Sequence, residues 1–216
     1  MLKLKNHFTA SGYTTGAILA VTGIVMFSAK AIMVKLGYRF GVDVITLLLL
    51  RMVFSMPFYI VTSVRESQKT SNRSLGFREF LTLAGLGIIG YYLASYFDFY
   101  GLQFISASLE RVILFIYPTL VVIITFLVFR TKISRKQIIA ILITYFGIFI
   151  SFIQDIKLEG INTLIGGFAI FLSALTYVIY LVGSGYMIPK IGPARFTSYV
   201  MLISCIMVIF HYLILN

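Results

Sequence analysis

Five ionisable side chains stand within or at the edge of long apolar runs: Lys30, Arg51, Asp98, Glu110 and Arg111. A charge at bilayer depth costs about 2.5–3.5 kcal/mol on insertion scales, so such residues usually face a cavity or a partner. At 1.5 Å of rise per residue, Arg51 falls roughly 10 Å and Glu110 about 6 Å below the outer ends of their spans. Lys30 falls in the outer third of its span and Asp98 near the outer end of another. One cluster at a common depth is therefore geometrically feasible. The expected chemistry is a charged lining for an outward-facing vestibule, with Glu110 balancing Lys30 or Arg51. The remaining positive charge would favour substrates with an anionic group. The bland alternative is a structural ion-pair network, with Lys30 and Arg111 snorkelling to the outer interface.

Polar side chains also recur at helical spacing. Ser173, Tyr177, Tyr180 and Ser184 form one stripe; Tyr91, Ser95 and Asp98 form a second; Thr197, Ser204 and His211 form a third. Lipid cannot satisfy their hydrogen bonds, so these faces should turn inward, toward a cavity or a neighbouring helix. Tyr92 and Tyr177 join the charged residues as substrate-pathway candidates. Pro57 and Pro118 are expected to kink their helices, because each removes a backbone donor.

Enzyme readings fail on geometry and spacing. Ser184 and His211 are expected at opposite membrane faces, too far apart to share a proton. His7 reads as a solvated cytoplasmic residue. Two distant histidines and the single Cys205 offer no metal-ligand spacing, and no Gly-rich loop with a lysine cradles a phosphate. No enzyme activity, metal or cofactor is expected.

The elements that must position these residues follow from composition. Of 216 residues, 60% are apolar and 12% charged, with mean hydropathy +1.00. A soluble domain would carry roughly a quarter charged residues. So little polar surface excludes an ordinary soluble domain and a disordered chain. The net charge of +11 on so apolar a chain points to cytoplasmic loops of a membrane protein, not to nucleic acid. The partner is the lipid bilayer. The fold class is all-α, a polytopic integral membrane protein. Seven crossings are expected, at residues 13–35, 44–64, 79–100, 106–129, 136–154, 161–184 and 195–215. The apolar runs are continuous, which excludes a β-barrel.

With the N-terminus inside, twelve Lys and Arg fall on cytoplasmic segments: Lys3, Lys5, Arg65, Lys69, Arg73, Arg78, Arg130, Lys132, Arg135, Lys136, Lys190 and Arg195. Three fall outside: Lys35, Arg39 and Lys157. This bias places the N-terminus in the cytoplasm and, after seven spans, the C-terminus outside. Lys3 and Lys5 flank a run too long for a cleaved signal peptide.

The first helix pair has a counterpart 150 residues later. Gly16-Ala17-Ile18-Leu19-Ala20 matches Gly166-Gly167-Phe168-Ala169-Ile170, Phe27 matches Tyr177, and with one insertion Gly41 matches Gly192. Five spans separate the copies, so the second enters from the opposite side. Inverted repeats of this kind build many secondary transporters. The chain would then hold one five-helix unit and two helices of a second. Asn216 follows the last span with no polar tail, so the chain is expected to stop early.

The run from Tyr91 to Leu109, continuing through Glu110-Arg111-Val112-Ile113-Leu114-Phe115-Ile116-Tyr117-Pro118-Thr119, resembles the helix 3–helix 4 junction of EamA-type drug/metabolite transporters. Phe27-Ser28-Ala29-Lys30-Ala31 and Leu50-Arg51-Met52 resemble the family's first and second helices. The resemblance implies ten helices in two inverted five-helix repeats around a central cavity, in the cytoplasmic (inner) membrane. Residues 10–155 would be the first repeat and 160–216 an incomplete second one. It implies a transporter of a small metabolite or amphipathic compound working by alternating access. Because helices 8–10 are lacking, the alternatives are a non-transporting membrane interaction subunit or an inactive remnant. Completing the second repeat would then call for a homo- or hetero-oligomer.

Overall fold

The computed structural model describes residues 10–69, 75–130, 133–152 and 161–215, with side chains for all of these except 10–13 and 148–152. Lys3, Lys5, His7, Arg73, Lys132, Lys157 and Asn216, used above for orientation and length, lie outside the described residues. Every regular element among the described residues is helical. In chain order these are α1 (Ala10–Ser28), α2 (Lys30–Arg39), α3 (Val44–Lys69) and α4 (Phe77–Gly87). A π-helical turn (Ile88–Leu93) leads into α5 (Ala94–Phe104). Then come α6 (Ala107–Leu114), α7 (Tyr117–Phe129), α8 (Arg135–Phe152), α9 (Ile161–Ile191) and α10 (Pro193–Leu215).

Among the described residues, six stretches are long and apolar enough to cross a membrane: Thr14–Arg39, Val44–Lys69, Phe77–Phe104, Ala107–Phe129, Ile161–Ile191 and Pro193–Leu215. The chain is thus a multi-pass membrane protein. The expected fifth crossing, on α8, is not among these six, and the residues that follow it lie outside the described set.

Three crossings are composite. The first breaks at Ala29 between α1 and α2. The third carries the π turn. The fourth is interrupted between Leu114 and Tyr117, with Pro118 in the opening turn of α7, where its missing N–H costs no hydrogen bond. Pro57, in contrast, lies inside the continuous α3. The sixth expected crossing runs on to Ile191 instead of stopping at residue 184. Gly183, within it, is a packing site: a Cβ there would meet Leu86 Cδ2 at 2.5 Å. The stop is Gly192, whose φ of +85° is left-handed. Gly41, after the first crossing, has φ +76°.

Helix α10 lies along α3, and α9 lies along α5. Lipid is as apolar as leucine, so contact between spans depends on close fit and not on the hydrophobic effect. Small residues supply that fit. A Cβ on Gly101 would lie 2.9 Å from the Gly166 carbonyl oxygen, and one on Gly90 would enter the Tyr180 side chain. Leu48, Met52, Leu102, Met201 and Cys205 fill one buried cluster between α3, α5 and α10. Leu83, Leu86, Met187, Phe196 and Val200 fill another between α4, α9 and α10. Ile18, Phe54, Leu127, Phe168 and Leu213 are exposed, as lipid-facing side chains should be.

Candidate functional site

Lys30 opens α2 immediately after the break at Ala29, and its side chain bridges two other crossings. Its ammonium donates to Asp98 Oδ2 on α5 and, at 3.1 Å, to Glu110 Oε1 on α6. Asp98 is 4% exposed and Glu110 fully buried. Asp98 Oδ1 and Glu110 Oε2 have no hydrogen-bond partner. Glu110 Oε2 does lie 3.2 Å from Arg111 Nε, an ion pair without hydrogen-bond alignment.

Arg111 is directed elsewhere. Its Nη2 donates to the carbonyls of Phe27 at 2.9 Å and Ser28 at 3.3 Å. Those carbonyls belong to the end of α1, where a helix terminus leaves acceptors unfilled. The guanidinium also lies over the Phe27 ring, 5.1 Å from its centroid. Of the two partners weighed for Glu110, Lys30 is the one it contacts.

Arg51 is the exception among the three cations. Its Nη1 donates to Ser95 Oγ at 3.3 Å, and the guanidinium lies 5.7 Å from the Phe99 ring centroid. Among the described residues no carboxylate comes within ion-pair distance of it. Lys30 and Arg111 are matched by Asp98 and Glu110, so the positive charge of Arg51 is left over.

These groups meet at a cavity of about 500 Å³. Lys30, Arg51, Ser95 and Asp98 form its polar wall. Tyr59, Tyr91, Tyr117, Tyr177, Phe27 and Met201 form the rest, with Gly90, Ala94 and Ser173. Tyr177 packs edge-on to Tyr91 and tilted against Tyr117, with centroids 6.4 and 5.4 Å apart. An apolar, aromatic chamber with a few convergent polar groups is the usual form of a small-molecule site.

Of the residues expected from sequence, Lys30, Arg51, Asp98 and Tyr177 line this cavity; Glu110 and Arg111 stand behind it. Tyr92 turns away: its hydroxyl is 2.8 Å from His211 Nδ1 on α10. Tyr91, one position earlier, takes the cavity-lining place, together with Tyr59 and Tyr117. The stripe Tyr91, Ser95, Asp98 carried the signal for Tyr91. Nothing in the sequence separated Tyr59 or Tyr117 from the other interface tyrosines.

Residues 14–153 match the EamA-like transporter family. The chain is 30% identical over 191 residues to the uncharacterized transporter YcbK of Bacillus subtilis (strain 168). That similarity takes in 85% of this chain and 59% of the relative, so the chain spans about three-fifths of the relative's length. No solved structure matches the chain.

Proposed function

Because the chain belongs to the EamA-like transporter family, we propose that it moves a small amphipathic organic anion across the cytoplasmic membrane. It acts by alternating access, without catalysis, and with its N-terminus inside. The observation that carries this reading is Arg51: a cation on a cavity wall, beside aromatic rings and with no counter-ion among the described residues. A substrate carboxylate, sulfonate or phosphate supplies the missing charge, and the tyrosines hold an apolar body. The shared left-handed φ at Gly41 and Gly192 supports two units related by inversion, since each glycine closes the first helix of its unit. Rocking of the units around the cavity then exposes it to one side at a time.

The test is flux of benzenesulfonate, an aromatic anion at every working pH, into proteoliposomes holding the chain. Saturable counterflow supports the reading. Absence of counterflow, with benzenesulfonate also failing to bind the detergent-solubilised chain, removes it.

A further inference from the structure

We propose that the groove between the C-terminal halves of α7 and α9 holds an anionic phospholipid. One acyl chain lies in the groove, and the phosphate sits between Arg130 and Lys190. The inference is independent of the transporter reading and of the cavity at Arg51.

The groove encloses about 460 Å³. Val121, Thr125 and Phe129 wall it from successive turns of one face of α7; Val182, Gly185 and Tyr186 wall it from α9. The two helices are parallel. Tyr117 meets Tyr177 ahead of the groove, with ring centroids 5.4 Å apart, and the groove residues follow both in sequence. Their C-terminal ends therefore bound the same end of the groove. The slot stands open on its outer side: Phe129 is 52% and Tyr186 58% exposed. A Cβ on Gly185 would have nothing within 4 Å. Such a slot along a spanning helix pair suits a methylene chain, which asks for no hydrogen bonds.

Two cations select the headgroup. Arg130 follows Phe129 directly, in a left-handed conformation with φ +51° that ends α7 at the groove's edge. Lys190 lies one turn beyond Tyr186, and its ammonium stands 3.5 Å from the centroid of that ring. A residue of the groove wall thus carries the charge at the groove's rim. Neither helix contains an acidic residue. The C-termini of two helices together bring roughly one negative charge, whereas the two side chains bring two positive ones. The excess matches one phosphodiester. A bare apolar groove would take any lipid, but basic groups at its end favour an anionic headgroup. An apolar helix from a second copy would fill the slot and leave that charge unanswered.

Native mass spectrometry of the purified chain in a neutral detergent reads retained lipid directly. The probes are dioleoylphosphatidylglycerol and dioleoylphosphatidylcholine, which share their acyl chains and differ in net charge. The wild type should retain phosphatidylglycerol in preference to phosphatidylcholine. Arg130→Gln combined with Lys190→Gln should weaken that retention by roughly fivefold for each cation removed. Arg65→Gln combined with Arg78→Gln removes the same charge from α3 and α4 and should leave it unchanged. Gly185→Leu keeps every charge but fills the groove, and should abolish the preference. Equal retention of the two lipids by the wild type overturns the proposal, and so does an equal loss in both charge pairs. A preference that survives Gly185→Leu would put the lipid on surface charge alone and overturn the groove seat. A dimer that Gly185→Leu converts to a monomer, with no lipid preference in either, would seat a second copy in the groove and likewise overturn it.

Discussion

Arg111 Nη2 stands 2.9 Å from the carbonyl oxygen of Phe27, a residue in a different crossing. The contact explains how a break can exist in the first span. Between α1 and α2 the helical ladder lapses at Ala29, and acceptors would otherwise face lipid unfilled. A charged donor from α6 fills them. Arg111→Met should destabilise the fold by about 1.5–3 kcal/mol, the range for a hydrogen bond to a charged group. Arg111→Lys should recover only part of this, because one ammonium cannot reproduce the fork that reaches both carbonyls. Unfolding of the detergent-solubilised chain in graded SDS, followed by circular dichroism, measures both.

The Lys30 bridge predicts non-additivity. Lys30→Met leaves Asp98 and Glu110 together without their shared cation, and should cost about 3–5 kcal/mol. Adding Glu110→Gln to that variant removes one of the two stranded charges. The double variant should therefore be more stable than Lys30→Met alone, with a coupling energy of about 0.5–3 kcal/mol in the cycle. A cycle that closes to zero would mean that the two side chains do not share an ion pair in the folded protein.

Arg51 should separate function from stability. Its hydrogen bond to Ser95 is long at 3.3 Å, and among the described residues it holds no carboxylate. Arg51→Ala is expected to change folded yield little. It should weaken benzenesulfonate binding roughly ten- to hundredfold, the equivalent of one charge-assisted hydrogen bond. Arg51→Lys should restore part of the affinity. Equal binding in all three proteins would place the anion elsewhere.

The membrane class and the all-helical fold were legible because lipid imposes long continuous apolar runs, and those survive in a single sequence. The polar stripe Tyr91, Ser95, Asp98 was legible for the same reason, since it interrupts apolar surface at helical spacing. Helix breaks were harder to read. Pro57 and Pro118 look alike in sequence, yet Pro57 sits within an unbroken helix while Pro118 follows an interruption. What separates them is position relative to neighbouring helices. Tyr92 and Tyr91 differ by one residue, or 100° around a helix. The π turn at Ile88–Leu93 alters the rotation at that point, so which tyrosine faces the cavity depended on a local irregularity.

That turn makes its own prediction. Gly90 lets the π-helical segment sit directly against Tyr180, whose side chain a Cβ would enter. Gly90→Ala should cost about 1–3 kcal/mol by overpacking. Gly85→Ala, on the same crossing, has nothing within 4 Å of its added Cβ. It should be neutral or stabilising by up to about 1 kcal/mol, through reduced freedom of the unfolded chain. The contrast between the two, read from SDS unfolding midpoints, separates close approach from helix propensity. Equal effects would remove the close-packing argument.

Asp43 gives the pH prediction outside the membrane. It precedes α3, and its carboxylate accepts from the backbone N–H groups of Ile45 at 3.0 Å and Thr46 at 3.1 Å. The Thr46 side-chain hydrogen bond, helped by these backbone donors, holds the carboxyl below its ordinary range. A carboxylate bound more tightly in the folded state stabilises that state whenever it is ionised. The contribution is complete above the unfolded-state pKa of about 3.9 and fades as pH falls through the lower folded value. Asp43→Ala should therefore cost about 1 kcal/mol at neutral pH, the usual value of an N-cap. The gap between wild type and Asp43→Ala should narrow below about pH 4, because the wild type loses its charged acceptor there while alanine has none to lose. Asp43→Asn should keep most of the cap and show no such narrowing relative to alanine. A gap that stays constant down to about pH 3 would show that the ionised carboxylate of Asp43 does not hold the start of α3.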